Sequence, residues 1–201
     1  MENNIKRKTY KIVLIGDNYI GTTSLIRRYI YNEYDPNKYS YSAKLFEKII
    51  KLENGKEVLF HFWDLYNQER YYSLNKLYIK NSHGIILTYD ITKRRSFENI
   101  DWKLNRIKQE FEGILIFALV GLKMDSSSEE QVREEEARQY AQDNNMLFYL
   151  TSAKENIGIE NCFNGIINEI IRKDEINNEN KNLINLNNIK RERPSKKGCL
   201  K

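Results

Sequence analysis

The chain is organised around the stretch Gly16-Asp17-Asn18-Tyr19-Ile20-Gly21-Thr22-Thr23. An apolar run at residues 12–15 precedes it and predicts a buried strand. From Ser24 onward, residues 24–30 carry apolar side chains at helical spacing. A loop between a strand and a helix brings backbone N–H groups and a helix N-terminus together, and this arrangement favours the binding of an anion. The stretch therefore predicts a phosphate-binding loop, with residues Gly16 to Ser24 lining the site.

The loop departs at one position from the pattern G-x-x-x-x-G-K-[ST]. Thr22 occupies the place of the lysine whose cation reaches the β- and γ-phosphates. Thr23 keeps the hydroxyl that can bind Mg²⁺. A charge-assisted contact to phosphate is worth about 2–3 kcal/mol. Its loss predicts an affinity that is lower by tens to about a hundredfold, since about 1.4 kcal/mol is tenfold.

The length of 201 residues fits one domain with extensions. We predict an N-terminal extension at 1–8, a folded domain at 9–173 and a disordered tail at 174–201, where asparagine and lysine dominate. The longest apolar run, Ile114 to Val120, has the length of a strand and is too short to cross a membrane. There is no signal-peptide pattern, and two distant cysteines do not form a disulfide framework, so we expect a cytoplasmic protein.

The net charge of +5 is concentrated at the C-terminus. Residues 190–201 contain six basic side chains and one acidic one, and six minus one is +5, so residues 1–189 sum to zero. A neutral body argues against a nucleic-acid-binding domain, which should carry a basic face. The basic tail either contacts an anionic membrane or only keeps the chain soluble, and the sequence leaves both open.

Strand and helix patterns alternate along the chain. Asn54-Gly55 predicts a hairpin between apolar segments at Leu45–Leu52 and Val58–Trp63. Further strands are predicted at 84–90, 113–121 and 146–150, and helices at 96–111, 129–144 and 159–172. This order predicts an α/β fold with a mostly parallel six-stranded sheet and helices on both faces. Ligands of such sheets bind beyond the carboxyl ends of the strands.

Three of those strand ends carry motifs that can be recognised. They are Trp63-Asp64-Leu65-Tyr66-Asn67-Gln68-Glu69-Arg70, Gly121-Leu122-Lys123-Met124-Asp125 and Thr151-Ser152-Ala153-Lys154. With the phosphate loop they resemble the small GTPases of the Ras superfamily, and most closely the Rab branch, which has W-D-T-A-G-Q-E-R, G-N-K-x-D and S-A-K. The resemblance runs from about Tyr10 to Ile171 and implies the G-domain fold of P-loop NTPases.

At the phosphate end, the resemblance implies a GTP or GDP site with Mg²⁺. Thr23 would bind the ion directly, and Asp64 would hold it through a water. Asn67 lies where an amide meets the γ-phosphate, and Gln68 matches the residue that orients the attacking water. On the residues alone, Asp64 and Gln68 could instead serve the packing of their loop.

At the base end, the resemblance implies recognition of guanine. Asp125 would accept hydrogen bonds from the N1 and N2 donors of the base, which separates GTP from ATP. Lys123 would lie over the base, and the Ala153 amide, between Ser152 and Lys154, would meet guanine O6. Tyr34 matches an aromatic that stacks on the base edge. Asp125 could alternatively cap the helix that follows it.

Four positions depart from the pattern of the family. Thr22 replaces the lysine, Asn67 replaces a glycine, Leu122 replaces an asparagine, and Tyr41 stands where the family has a threonine that senses Mg²⁺ and γ-phosphate. Our first hypothesis is a Rab-like guanine-nucleotide switch in vesicle traffic, with GTP hydrolysis that is slow or depends on a partner. The rival is a pseudo-GTPase, a nucleotide-independent interaction module. In either case the segments Tyr39–Phe46 and Trp63–Tyr72 would contact effector and regulator proteins.

The C-terminus offers one candidate for lipidation. Cys199 is followed by two residues, one short of a C-a-a-X box. A prenyl chain on Cys199, together with the basic cluster, would meet the requirement of two signals for stable anchoring. The protein would then lie on the cytosolic face of endomembranes.

Overall fold

A six-stranded sheet forms the centre of the structure, a computed structural model that describes residues 7–38, 42–65, 77–111 and 115–191. The strands are β1 (Lys8–Gly16), β2 (Lys44–Lys51), β3 (Glu57–Leu65), β4 (Gly84–Asp90), β5 (Ile116–Leu122) and β6 (Leu147–Thr151). The helices are α1 (Thr22–Tyr31), α2 (Arg94–Glu110), a 3-10 helix (Met124–Glu129), α3 (Glu134–Asp143) and α4 (Ile159–Arg191).

The strand order is β2-β3-β1-β4-β5-β6, and every pair is parallel except β2 with β3. The antiparallel pair is the predicted hairpin, and Gly55 in its turn has φ 80°, which glycine adopts without strain. All seven residues of β4 are buried, as expected for a parallel strand covered on both faces. The prediction of a mostly parallel sheet is confirmed.

Helices cover both faces of the sheet, so the core has two parts. On one face, α1 and α4 pack against the sheet, and Tyr29 stacks on Phe163 with ring centroids 4.0 Å apart. On the other face, α2 and α3 pack through apolar residues such as Ile100, Leu104 and Ala137. The sheet therefore holds its strand ends rigidly between two packed layers.

The helix predicted at 129–144 is shorter than expected, and a separate 3-10 helix precedes it. Residues 124–129 form the 3-10 helix, and α3 begins only at Glu134. Between them the N–H groups of Gln131 and Val132 donate to the carbonyl of Ile91, at 2.8 and 3.2 Å, and Val132 is buried. The segment is thus held against the end of β4 and cannot continue a helix.

The last helix is longer than predicted. We expected disorder from residue 174, but α4 continues through Arg191. No glycine or proline occurs between Gly165 and Pro194, and extending a helix costs far less than nucleating one. Lys8 pairs with Asp174, whose carboxylate also accepts a hydrogen bond from the Tyr10 hydroxyl at 3.1 Å. The structure thus describes a helix at 174–191, whereas 192–201 lie outside the described residues.

In the part of the chain that the structure describes, no helix combines the length and the apolar character needed to cross a bilayer.

Candidate functional site

A cavity of about 290 Å³ opens at the carboxyl ends of β1 and β3. It is lined by Gly16, Asp17, Asn18, Tyr19, Gly21, Thr22, Thr23, Ser24, Tyr34, Pro36, Lys38, Asp64, Leu65 and Lys123. The structure therefore brings most of the predicted phosphate loop together with Tyr34, Asp64 and Lys123. This is the edge of the sheet at which parallel α/β folds bind ligands.

The loop 16–23 is shaped by its backbone. Gly21 has φ 111° and is the N-cap of α1, and Tyr19 also has a positive φ of 61°. Among the described residues no side chain caps α1, so its first N–H groups remain for an anion. The Ile20 side chain is buried in the core, so this predicted site residue can offer only its backbone. A Cβ at Gly16 would lie 2.0 Å from the Thr88 hydroxyl, which excludes any side chain there.

Thr22, at the lysine position, faces the interior of the protein. Its Oγ1 lies 2.9 Å from Thr88 Oγ1 in a buried hydroxyl pair. Thr88 Oγ1 also donates to the carbonyl oxygen of Ile15, at 3.4 Å. The polar atom of Thr22 is therefore engaged with β4, and this position brings no positive charge to the cavity.

Thr23 and Asp64 stand side by side at the cavity. Thr23 Oγ1 donates to Asp64 Oδ2 at 2.6 Å, and Asp64 is 3 % exposed. Burial raises the pKa of Asp64 to about 6, against the Thr23 hydrogen bond and the charge of Lys44, which lower it. A hydroxyl and a carboxylate are oxygen ligands of the kind that Mg²⁺ takes, usually with phosphates and waters completing the shell. The two predicted Mg²⁺ residues therefore have a suitable arrangement.

Asp125 is fixed by the loop that follows β6. The Ser152 hydroxyl donates to Asp125 Oδ1 at 2.6 Å and accepts from the Glu155 N–H at 3.0 Å. Backbone hydrogen bonds in both directions between Ser152 and Ile157 close this loop. The 3-10 helix has Lys123 as its N-cap and no side-chain cap, so the reading of Asp125 as a cap is wrong.

Lys123 and Leu122 connect the base end to the phosphate loop. Lys123 adopts a left-handed conformation with φ 64°, and its Nζ lies 2.6 Å from Asp90 Oδ2. Leu122, at the asparagine position of the family, is buried, and its Cδ1 would lie 3.9 Å from a Cβ built on Gly21. An apolar contact thus stands where the family has a polar tether.

Arg28 ties α1 to the same loop. Its Nε donates to the Ala153 carbonyl at 2.7 Å, and its Nη2 donates to that of Lys154 at 3.3 Å. Ala153 and Lys154 do not line the cavity, nor do Asp125 and Ser152; they stand at the next strand ends. The predicted residues Tyr41, Asn67, Gln68 and Cys199 lie outside the described residues.

Our sequence analysis missed a buried lysine below the loop. Lys103 of α2 is 2 % exposed and forms an ion pair with Asp17, which also accepts from Asn99 Nδ2 at 2.8 Å. A signal was present, because residue 103 shares the apolar face of α2 with Ile100 and Ile107. A lysine on such a face requires a buried counter-charge. Lys38, which lines the cavity, was also missed.

The fold and the cavity define a small GTPase. A sequence model of the Ras family matches residues 11–172. Ras-related protein Rab-39A of Homo sapiens is 34% identical over 180 residues, covering 83% of this chain and 81% of that protein. GTP-binding protein ypt3 of Schizosaccharomyces pombe is 33% identical over 164 residues, covering 81% and 76%. Ras-related protein RABA1b of Arabidopsis thaliana is 32% identical over the same length, with the same coverage.

The chain therefore belongs to the Ras family, as a Rab-like small GTPase. This confirms the resemblance that the four motifs indicated. Membership implies a guanine nucleotide as ligand, with effector and regulator proteins as partners. The rival interpretation of a nucleotide-independent module is not favoured by these relatives.

Proposed function

We propose that this Rab-like protein is a switch in vesicle traffic that binds GDP and GTP with Mg²⁺, with the phosphates in the described cavity and the base at the neighbouring strand ends. The observation that carries the proposal is the fixed carboxylate of Asp125, held by Ser152 beside Lys123. A carboxylate has about four acceptor sites, so one bond from Ser152 leaves room for the two N–H donors of guanine. Adenine lacks that pair of donors, so the same carboxylate would exclude ATP.

At the phosphate end, backbone groups would bind most of the anion. The uncapped start of α1 and the loop 16–23 offer N–H groups and a positive helix end. Thr23 and Asp64 would hold Mg²⁺, which neutralises charge on the β- and γ-phosphates. Gly16 lets the loop pack closely on β4, because a Cβ at this position would collide with the Thr88 hydroxyl. Tyr34, at the cavity wall, would cover the edge of the base.

GTP hydrolysis would be slow without a partner. Gln68 would orient the attacking water, with Asn67 beside it, on the sequence resemblance alone. Charge that develops on the transferred phosphoryl group is stabilised by cations in this class of enzyme. Thr22 brings none, so we expect an activating protein to accelerate turnover by a larger factor than it would with a lysine at position 22.

The partner surfaces and the membrane contact complete the proposal. Effectors and regulators would bind the segments Tyr39–Phe46 and Trp63–Tyr72. The basic residues from Lys190 onward, with a prenyl group on Cys199, would place the protein on the cytosolic face of endomembranes. Mass spectrometry of protein from its native cell tests the lipid, and an unmodified Cys199 would remove that part.

Calorimetric titration tests the nucleotide site. Nucleotide-free protein is titrated with GDP, with a non-hydrolysable GTP analogue and with ATP, each with Mg²⁺. We expect micromolar or tighter binding of both guanine nucleotides and none of ATP. The variant Asp64→Asn should weaken the dependence of GTP-analogue binding on Mg²⁺. A folded protein that binds neither guanine nucleotide would contradict the proposal.

A further inference from the structure

The cavity contains a cation that the sequence motifs do not assign. Among the described residues that line it, the cations are Lys38 and Lys123, and the acids are Asp17 and Asp64. Asp17 is engaged with Lys103, and Lys123 lies 2.6 Å from the buried carboxylate of Asp90. Lys38 is therefore the lining cation with the loosest attachment.

Lys38 is positioned by a turn in the segment after α1. The Asn37 N–H donates to Asp35 Oδ1 at 2.9 Å, and the Lys38 N–H donates to the Asp35 carbonyl at 3.3 Å. This turn sets the backbone at residue 38 beside the cavity wall formed by Pro36 and Tyr34. The lysine thus lines the same cavity as the loop 16–23.

The ammonium group of Lys38 is held only weakly in its present position. Its Nζ lies 3.9 Å from Glu33 Oε2, and about half of each side chain is exposed. An exposed ion pair at that distance contributes almost nothing to stability. Glu33 also pairs with Arg27, so it keeps a partner when Lys38 leaves.

We propose that Lys38 supplies the phosphate-binding cation that the loop Gly16–Thr23 lacks at Thr22. Its ligand is the diphosphate or triphosphate group of the guanine nucleotide, so the inference rests on the proposed function. A lysine is a compact point charge on a flexible stem and binds phosphate without a fixed geometry. The positive charge therefore comes from the segment that follows α1, not from the start of α1.

The test compares ligands with and without phosphate. Calorimetry of nucleotide-free Lys38→Gln with guanosine, GDP and a non-hydrolysable GTP analogue isolates the charge from base recognition. We expect a loss of tenfold to a hundredfold for GDP, at least as large a loss for the triphosphate, and unchanged binding of guanosine. The loss for GDP should shrink as salt is raised, because salt screens an exposed charge.

Two further variants control the experiment. Lys56→Gln removes the same charge from the exposed turn between β2 and β3, and should leave all three affinities unchanged. Thr22→Lys in the Lys38→Gln background should recover part of the lost GDP affinity. Equal thermal unfolding of wild type and Lys38→Gln shows that the fold is intact.

The outcomes separate this inference from the proposed function. If wild type binds GDP and Lys38→Gln binds it equally well, the role of Lys38 is overturned and the proposed function stands. An equal loss of affinity for guanosine and for GDP would also overturn it, because the effect would then not concern phosphate. If wild type binds neither guanosine nor GDP, both are overturned.

Discussion

The two ends of the proposed nucleotide site are built in different ways. At the base end, side chains hold one another: Ser152 fixes Asp125, and Arg28 fixes the carbonyls after β6. At the phosphate end, the cradle is backbone, and the side chain at its key position, Thr22, turns away to Thr88. Base recognition should therefore depend on single side chains, whereas phosphate binding should depend on the loop and on cations from outside it.

Phosphate binding and anchoring of the loop, which a lysine in the loop would combine, are separate in this protein. A lysine at position 22 would bind phosphate and also anchor the loop. Here the loop is anchored from below by the contacts of Asp17 with Lys103 and Asn99, and by the pair of Thr22 with Thr88. The loop can therefore keep its shape although it has lost its charge.

The largest effect should come from breaking the anchor below the loop. Lys103→Met removes the buried ion pair with Asp17 and should lower the free energy of unfolding by about 3 kcal/mol. Denaturant unfolding measures this, with the exposed Lys108→Met as the matched control. Adding Asp17→Asn to Lys103→Met should recover part of the loss. Equal stability of Lys103→Met and Lys108→Met would contradict an anchoring role.

At the base end, removal of one carboxylate should abolish selectivity. Asp125→Ala should weaken GDP binding by about a hundredfold, about 2.7 kcal/mol, because two charge-assisted hydrogen bonds are lost. Competition between GDP and ATP measures the selectivity, and Asp143→Ala at the end of α3 is the control. If Asp125→Ala still preferred GDP strongly over ATP, the base would be recognised elsewhere.

At the phosphate end, restoring the lysine should raise affinity for phosphate alone. Thr22→Lys combined with Thr88→Val, which removes the hydroxyl that Thr22 would no longer pair with, should tighten GDP binding by about tenfold, about 1.4 kcal/mol. Guanosine binding should not change. Calorimetric titration with GDP and with guanosine tests this prediction. An equal gain in affinity for guanosine would show that the two ends of the site are not independent.

The smallest effect concerns a site far from both ends. His83, just before β4, accepts a hydrogen bond from the Lys11 N–H on Nδ1 and packs edge-on against Tyr10. Burial lowers the pKa of His83, as do the charges of Lys8 and Lys11, whereas the charge of Asp174 and the backbone hydrogen bond from Lys11 oppose this shift. Its neutral form therefore contributes stability that is complete above the unfolded value of about 6.5 and is lost as pH falls through the lowered pKa.

Unfolding curves of wild type and His83→Gln across pH 5 to 8 test this contribution. Wild type should lose stability below about pH 6.5 more steeply than His83→Gln. Parallel curves would contradict the assignment. The affinity of the folded protein for GDP should change with pH in the same way in wild type and His83→Gln, since His83 touches neither end of the proposed site.

The sequence predicted the position of the site because parallel strands end at one edge. An apolar run at 12–15 followed by glycines locates the loop, and two other strand ends locate Asp64, Lys123 and Asp125. The alternation of strands and helices then determines the sheet. These are local patterns, and local patterns can be read from a single chain.

Contacts between distant segments could not be predicted in this way. No local pattern in the sequence predicts that Thr22 pairs with Thr88, or that Lys38 lines the same cavity as the loop. The extension of α4 was missed because its asparagine-rich composition was judged alone, whereas a helix already formed at 159–173 can propagate into it. Lys103 is the exception, since a charge on an apolar helix face can be seen in the sequence.

The length of α4 has a further consequence for the C-terminal charges. From Asp174 to Arg191 the helix rises by about 26 Å, at 1.5 Å per residue. The Debye length at physiological ionic strength is about 8 Å, so about three screening lengths separate Arg191 from the contact of Asp174 with Lys8. Charge at the far end of the helix is therefore almost completely screened from the folded domain. Neutralisation of residues 190 and 191 by an anionic surface would leave the ion pairs at the start of the sheet undisturbed.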